Sequence, residues 1–286
     1  MTRTPDTTAI AERLNELWRT RGPVVMGIVN TTPDSFSDGG LFLALDAAVA
    51  EGERHLEAGA RIIDIGGEST RPGADRVDAA EECRRVVPVI RELRERHPSA
   101  VLSIDTSKVA VAETALSAGV DIVNDVSAAA EPGMLDLVAA RGAAIVLMHR
   151  RGTPKTMQLD TRYDNLVAEV HCWLGERAAA AVSAGISRDN VWLDPGIGFG
   201  KDDAGNLCLL AALPDLAAAG YPVVVGPSRK SFIGRLTQTT VEDRLGGTLA
   251  ALIPAIAMDR VVVRVHDSGP AAQFLHLGRL IAESAA

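Results

Sequence analysis

Phe, Trp and Tyr together make up only 3% of this 286-residue sequence. A core of stacked rings is therefore excluded, and the interior must be filled by Val, Ile, Leu and Ala, for which a hydrophobic content of 47% is ample. Positive charge is also short: 29 Lys and Arg stand against 37 Asp and Glu, a formal charge of -8. An acidic body argues against a general nucleic-acid or anionic-membrane surface, though not against small anions drawn into a cleft. No apolar run reaches the roughly 20 residues of a membrane span. Three cysteines, Cys83, Cys172 and Cys208, are too scattered for a disulfide framework or a metal-ligand spacing and read as reduced thiols. The polar opening MTRTPDTTAIAERLNELW lacks an apolar signal region, so a cytoplasmic location is expected.

What is present is one alternation, repeated. Short β-branched runs recur at Val24–Val29, Arg61–Ile65, Val101–Ile104, Asp121–Val123, Ala144–Met148, Asn190–Leu193, Pro222–Val225 and Arg260–Val265. Between them lie stretches of helical period rich in Ala, Leu, Glu and Arg, such as Ala44–Ala58, Ala79–Arg96 and Leu166–Ala184. Nearly continuous apolar strands alternating with helices imply parallel βαβ units buried on both faces. Eight such pairs predict an α/β fold, a (β/α)8 TIM barrel, with an extra helix at about Thr8 to Trp18 that closes the bottom or lies alongside. An open doubly wound sheet usually carries a glycine-rich first turn, and the first turn here is NTTPDSFSDGG. Residues 1–22 are expected as a helical extension and residues 23–286 as the barrel domain.

A barrel places its functional loops after the C-terminal strand ends. Those windows read NTTPDSFSDGG, GGESTRPGA, DTSK, NDVS, HRRGTPKTMQ, DPGIGFGK, GPSRKS and RVHDS, while the opposite junctions (EAGA, SAGV, AAGY) are plain helix stops. Asp105, Asn124 and Asp194 end three different strands and can converge near the axis. Two carboxylates and an amide suit a ligand edge rich in N–H groups, such as a 2-amino-4-oxo nitrogen heterocycle. A second group is cationic: Arg229 and Lys230, Arg264 and His266, and Arg71. Together with Ser228 and Ser231 at a helix start, it suits an oxyanion or phosphate. Asn30 is a plausible oxygen ligand for Mg²⁺, with Asp38 a further candidate, although both residue types are also common turn formers. The long first and second loops suggest lids.

Taken in order, MGIVNTTPDSFSDGG, DIGGESTRPGA, SIDTSK, NDVS, LMHRRGTPKTMQ, DPGIGFGK, GPSRKSFIG and RVHD resemble the dihydropteroate synthases of the pterin-binding barrel family, from about residue 24 to 280. The resemblance implies condensation of (7,8-dihydropterin-6-yl)methyl diphosphate with 4-aminobenzoate in folate biosynthesis. Diphosphate would leave by an SN1-like, Mg²⁺-assisted route without a protein nucleophile. It implies a pterin-contacting set of Asp105, Asn124, Asp194 and Lys230, with Met148 and Phe199 near the ring. It also implies a diphosphate site of Asn30 (through Mg²⁺), Arg264 and His266. Thr70, Arg71 and Pro72 would shape the aminobenzoate and diphosphate sites, Phe36 and Asp38 would belong to the closing first loop, and Ser231 would receive the aminobenzoate carboxylate. A homodimer and inhibition by sulfonamides, which mimic aminobenzoate in this family, are implied as well. Two alternatives keep the same pocket: an impaired paralogue that binds pterin, and a methyltetrahydrofolate:corrinoid methyltransferase, which has no need of a diphosphate site. Four departures stand out: Arg150 and Arg151, Pro227, Gly205-Asn206, and Met258-Asp259. His149 is read as a structural strand-end histidine in preference to a base.

Overall fold

A computed structural model describes residues 7–31, 41–69, 76–153, 156–157 and 159–284. Its centre is a closed barrel of eight parallel strands in sequential order. The strands are β1 (Val24–Asn30), β2 (Ile62–Gly66), β3 (Val101–Asp105), β4 (Ile122–Asp125), β5 (Ala144–Met148), β6 (Val191–Asp194), β7 (Val223–Val225) and β8 (Val261–Val265). Helices cover the outside: α2 (Leu41–Glu57), α3 (Ala79–Arg96), α4 (Val109–Ala118), α5 (Met134–Arg141) and α6 (Leu166–Ser183) each follow one strand. After β6 come α7 (Asp203–Ala211) and α8 (Leu213–Ala217), after β7 come α9 (Ser231–Thr237) and α10 (Leu245–Ala250), and α11 (Ser268–Ser284) closes the ring.

Alternation along each strand sorts its side chains into two cores. Val25, Ile63, Leu102, Val123, Ile145, Leu193, Val223 and Val263 point outwards and pack under the helices. Val24, Met26, Ile62, Val101, Ile122, Val146, Trp192 and Val262 point inwards and fill the barrel. Ile10, Leu14 and Leu17 of α1 (Thr7–Leu17) join this inner cluster, so the first helix closes the bottom. Arg13 fixes it there: Nη2 lies 2.6 Å from Oδ1 of the fully buried Asp121, whose other oxygen accepts from Arg94 at 2.7 Å. Trp18 meets Trp192 edge to face, with centroids 5.5 Å apart.

Five strands (β1, β2, β3, β4 and β6) end one or two residues past their apolar runs, while β5, β7 and β8 end with them. β4 extends to Asp125 and β6 to Asp194, and Asn124 lies in register with Val146 and Asp194 with Met148. Asn124 and Asp194 can stay within the ladder because their inward parity turns the side chains into the pocket while the backbone hydrogen bonds continue; Asp125, of the opposite parity, accepts the Ser127 and Ala129 N–H groups instead.

Candidate active site

The inward parity that buries Ile62 carries Asp64, two residues on, into the upper barrel. This carboxylate has no exposed surface. It accepts from Ser103 Oγ at 2.5 Å, Asn124 Nδ2 at 3.0 Å and Arg264 Nε at 2.6 Å. The other arm of Arg264, Nη2, donates to Asp105 Oδ2 at 2.8 Å. Burial opposes the charge on Arg264, but Asp64 and Asp105 outweigh it and hold the guanidinium above its ordinary range. Burial also pushes the Asp105 carboxyl up to about 7, against the pull of Arg264 and with some help from Asp64. Asp105 Oδ1 is buried and has no hydrogen-bond partner among the described residues. A buried acceptor left in this way is costly unless a guest supplies a donor.

Asp194 stands on the far side of this floor. Its Oδ1 accepts the Gly196 N–H at 2.6 Å, and burial raises its carboxyl. Lys230, the residue before α9, extends inward: Nζ donates to Ile197 O at 2.7 Å and lies 3.9 Å from the centroid of the Phe199 ring. Burial pushes this ammonium down to about 7, with Asp194 drawing it back up. Met148 is buried at the end of β5, beside Asp194 in register. The pocket thus combines carboxylates, an amide, a cation and an aromatic face within one barrel mouth, as the strand-end reading anticipates.

The rim is built by the loops after β7 and β8. Ser228 Oγ is 3.0 Å from His266 Nδ1 and accepts the His266 N–H at 3.2 Å. Arg229, an exposed residue with φ 56, adopts a left-handed conformation held from three sides. Its N–H donates to Thr248 Oγ1, its carbonyl accepts from Arg244 Nη1, and its guanidinium makes a two-pronged contact with Asp267 at 3.0 and 2.6 Å. Pro227 does not disturb this turn; its carbonyl accepts the Lys230 N–H at 3.2 Å. Ser231 is exposed as the first residue of α9, and Asn30 is exposed at the end of β1. Phe36, Asp38, Thr70, Arg71 and Pro72 lie outside the described residues.

The departures acquire local roles. Arg151 stacks on Tyr163 at 3.8 Å and pairs with Glu169 at 3.3 Å, so its charge is engaged at the loop's own base. Arg150 is half-buried; burial lowers its basicity while the nearby Asp125 carboxylate supports it. Asn206 is buried and accepts the Gly198 N–H at 2.6 Å, bracing the turn that carries Phe199. Met258 packs in the outer core, and Asp259 accepts the Gly22 N–H at 2.9 Å near the bottom of the barrel. Sequence reading missed Asp64 and Ser103. The signal was available, since an Asp inside the apolar strand IIDIG shares the inward parity of Ile62.

Comparison with known proteins agrees with this geometry. The family described as Pterin binding enzyme matches residues 26–266. Dihydropteroate synthase of Synechocystis sp. is 47% identical over 251 residues, covering 87% of this chain and 86% of the relative. Among solved structures, Yersinia pestis dihydropteroate synthase in a sulfonamide drug complex superposes with a TM-score of 0.85 at 42% identity, covering 93% of this chain and 95% of that one. Xanthomonas albilineans dihydropteroate synthase with 4-aminobenzoic acid gives 0.84 at 47% identity, covering 93% and 94%. With matches of this extent along its barrel, the chain belongs to the pterin binding enzymes, among the dihydropteroate synthases.

Proposed function

We propose that this chain is a transferase of folate biosynthesis that joins (7,8-dihydropterin-6-yl)methyl diphosphate to 4-aminobenzoate, giving 7,8-dihydropteroate and diphosphate. The observation that carries the reading is the buried Asp105 Oδ1, which has no hydrogen-bond partner among the described residues, in a floor shared with Asn124 and Asp194. A pterin edge, rich in N–H donors, supplies what these acceptors require. Phe199 and Met148 offer apolar surface to the ring, and Lys230 bridges towards its carbonyl side.

The reaction breaks the bond from the pterin methylene carbon to the diphosphate oxygen, and the electron pair leaves with the diphosphate. Arg264 and His266 stand where the departing anion can be met by fixed donors. The positive charge that develops at the methylene is shared into the pterin ring, and the carboxylates of Asp105 and Asp194 lie close to it. The aromatic amine then forms the new C–N bond and its proton is released. Because the amine itself attacks, no protein nucleophile is required. Ser231 and the neighbouring backbone of α9 receive the aminobenzoate carboxylate, and the roles of Thr70, Arg71, Pro72 and Phe36 rest on the resemblance of their motifs.

Mg²⁺ fits this site as an ion that arrives with the diphosphate. Among the described residues no group of three or more His, Cys, Asp or Glu could hold a metal. Mg²⁺, however, typically keeps waters and takes only one or two protein oxygens beside substrate phosphates. Asn30, exposed at the end of β1, would offer its amide oxygen, with Asp38 as a second candidate. The ion would neutralise charge on the leaving diphosphate.

We further assign a homodimeric state to the exposed apolar strip of Ile253, Leu277, Leu280 and Ile281; the last three recur on one face of α11. A cytoplasmic location accords with three free thiols. The test of function is pyrophosphate release from purified protein given the pterin diphosphate, 4-aminobenzoate and Mg²⁺. Release that requires both the amine and the metal, and that a sulfonamide inhibits competitively with aminobenzoate, is the expected result. Pterin binding without turnover would replace this reading with that of a binding paralogue. Lys230→Ala and Arg264→Ala should each abolish most turnover in a folded protein.

A further inference from the structure

Lys201 ends the DPGIGFGK window and takes no part in the chemistry above. Only 1% of its surface is exposed, which is rare for a lysine. Its Nζ lies 2.9 Å from His149 Nδ1, 2.9 Å from His149 O, 2.8 Å from Pro195 O and 2.9 Å from Gly196 O. An ammonium has three N–H donors and no lone pair. The three carbonyls are enough for these donors, and an Nδ1–H on His149 would set two donors head to head at 2.9 Å, so Nδ1 presents its lone pair to the ammonium. The proton of the neutral ring is therefore on Nε2.

We infer that Lys201 is a positioning residue for the transfer reaction: its ammonium ties the end of β5 to the turn after β6 and thereby aims Asp194 and Lys230, with His149 a neutral acceptor and not a proton-transfer group. The identification of the reaction rests on the reading under Proposed function; the structural link does not. The turn from Asp194 to Gly200 is pinned from both sides. Gly196 N–H is held by Asp194 and Gly198 N–H by Asn206, while the Ile197 carbonyl receives Lys230. Lys201 supplies the cation between the two carbonyls preceding Ile197, so removing it frees the segment on which Asp194 and Lys230 both depend. Gly196 leaves no slack, because a Cβ there would lie 1.9 Å from His149 O. Burial and the neighbouring Lys201 and Arg151 push His149 down to about 3, in keeping with a ring that stays neutral. Trp173 packs edge-on against it with centroids 5.1 Å apart and fixes its plane.

The test uses the full chain and three variants. Lys201→Met should raise the KM for the pterin diphosphate at least about tenfold while the KM for aminobenzoate moves less than about threefold. His149→Asn places an amide oxygen where Nδ1 stands and should keep kcat within about threefold; His149→Leu leaves three carbonyls for the three N–H donors, so its KM for the pterin diphosphate should rise less than that of Lys201→Met. A loss of about a hundredfold or more in His149→Asn would identify His149 as a general base and overturn the inference. So would a Lys201→Met protein that melts earlier but retains both KM values. Should Lys201→Met fail to fold, ¹⁵N NMR of the unaltered protein at about pH 6, below the value of about 7 to which burial pushes Lys201, decides: protonated Nε2 with unprotonated Nδ1 at His149 is expected, and the opposite tautomer overturns it. Absence of turnover in the unaltered protein would instead remove the proposed function, leaving the tautomer to judge the Lys201–His149 pair.

Discussion

Arg264 holds Asp105 by one oxygen only: Nη2 is 2.8 Å from Oδ2, while Oδ1 of the same carboxylate is buried with no partner among the described residues. The guanidinium orients the carboxylate, and the open oxygen is what remains for a ligand. Until a ligand arrives, burial dominates and pushes the Asp105 carboxyl up to about 7 from an ordinary value near 3.8.

A pH dependence follows. Between about pH 4 and 7 the folded protein binds a proton at Asp105 that the unfolded chain does not, so stability falls as pH rises through this window. Asp194 and Asp125 are shifted in the same direction, so the readout is the difference between proteins. Lys201 and Lys230, each pushed down to about 7, act with the opposite slope but only from about 7 to 10.5. The melting temperature of unliganded Asp105→Asn should therefore fall less between pH 5 and 7 than that of the unaltered protein. Parallel profiles would mean that Asp105 is already ionised in the free site.

Asp64 is expected to matter for rate although it lies beneath the pocket. Asp64→Asn retains an oxygen for Arg264 Nε and Asn124 Nδ2, and its amide can donate to Ser103 Oγ. What it loses is the charge facing the guanidinium, on the order of 1.5–3 kcal/mol for a charge-assisted bond. Turnover should drop about tenfold or more as Arg264 loosens, whereas Ser103→Ala should change it by less than about threefold. Steady-state kinetics with a melting control distinguishes the two; equal small effects would show that Arg264 needs only Asp105.

Arg229 makes a cleaner separation between stability and binding. Its φ of 56 costs about 1 kcal/mol for a side chain with a Cβ, and its exposed pair with Asp267 returns about 0.2–1 kcal/mol. Arg229→Gly relieves the first and forfeits the second, so its melting temperature should barely move. The turn that presents Lys230 and Ser231 nevertheless loses its tie to the loop after β8. The KM for aminobenzoate should rise several-fold in both Arg229→Gly and Asp267→Asn. Unchanged KM values in both would assign the bridge to solvation alone.

How far the site can be read from sequence depends on which residues speak through type and which through parity. Asp105, Asn124, Asp194 and Lys230 were legible because they follow or end apolar runs at one barrel face. Asp64 was not, because the candidates were sought after each apolar run, whereas Asp64 lies within one, where only its shared parity with Ile62 turns it inward. Lys201 received no role as the last residue of the window DPGIGFGK, and only folding shows four acceptors around its ammonium. The strand order and the existence of the first helix were legible from the sequence pattern; that it closes the bottom and does not lie alongside is shown by Ile10, Leu14 and Leu17 in the inner cluster. The doubled helices after β6 and β7 were not, since Pro214 and the Gly246-Gly247 pair interrupt the helical period without marking where the chain turns.

Two glycines with similar backbones should respond differently to alanine. Gly133, before α5, has φ +90 and open space where a Cβ would sit; Gly196 has φ +70 and a backbone oxygen 1.9 Å away. Gly133→Ala incurs only the conformational cost, about 1 kcal/mol or a few degrees of melting temperature, and should leave both KM values unchanged. Gly196→Ala adds a clash that no side-chain rotation relieves, because the obstacle is the carbonyl of His149, itself held by Lys201. It should lose upwards of about 3 kcal/mol and, where folded protein is recovered, bind the pterin diphosphate more weakly, since Asp194 is anchored through the Gly196 N–H. Melting curves and KM values for both variants check this. Comparable losses in the two would mean that the turn after β6 can shift to accept a Cβ, and that Asp194 is not held by its backbone contact.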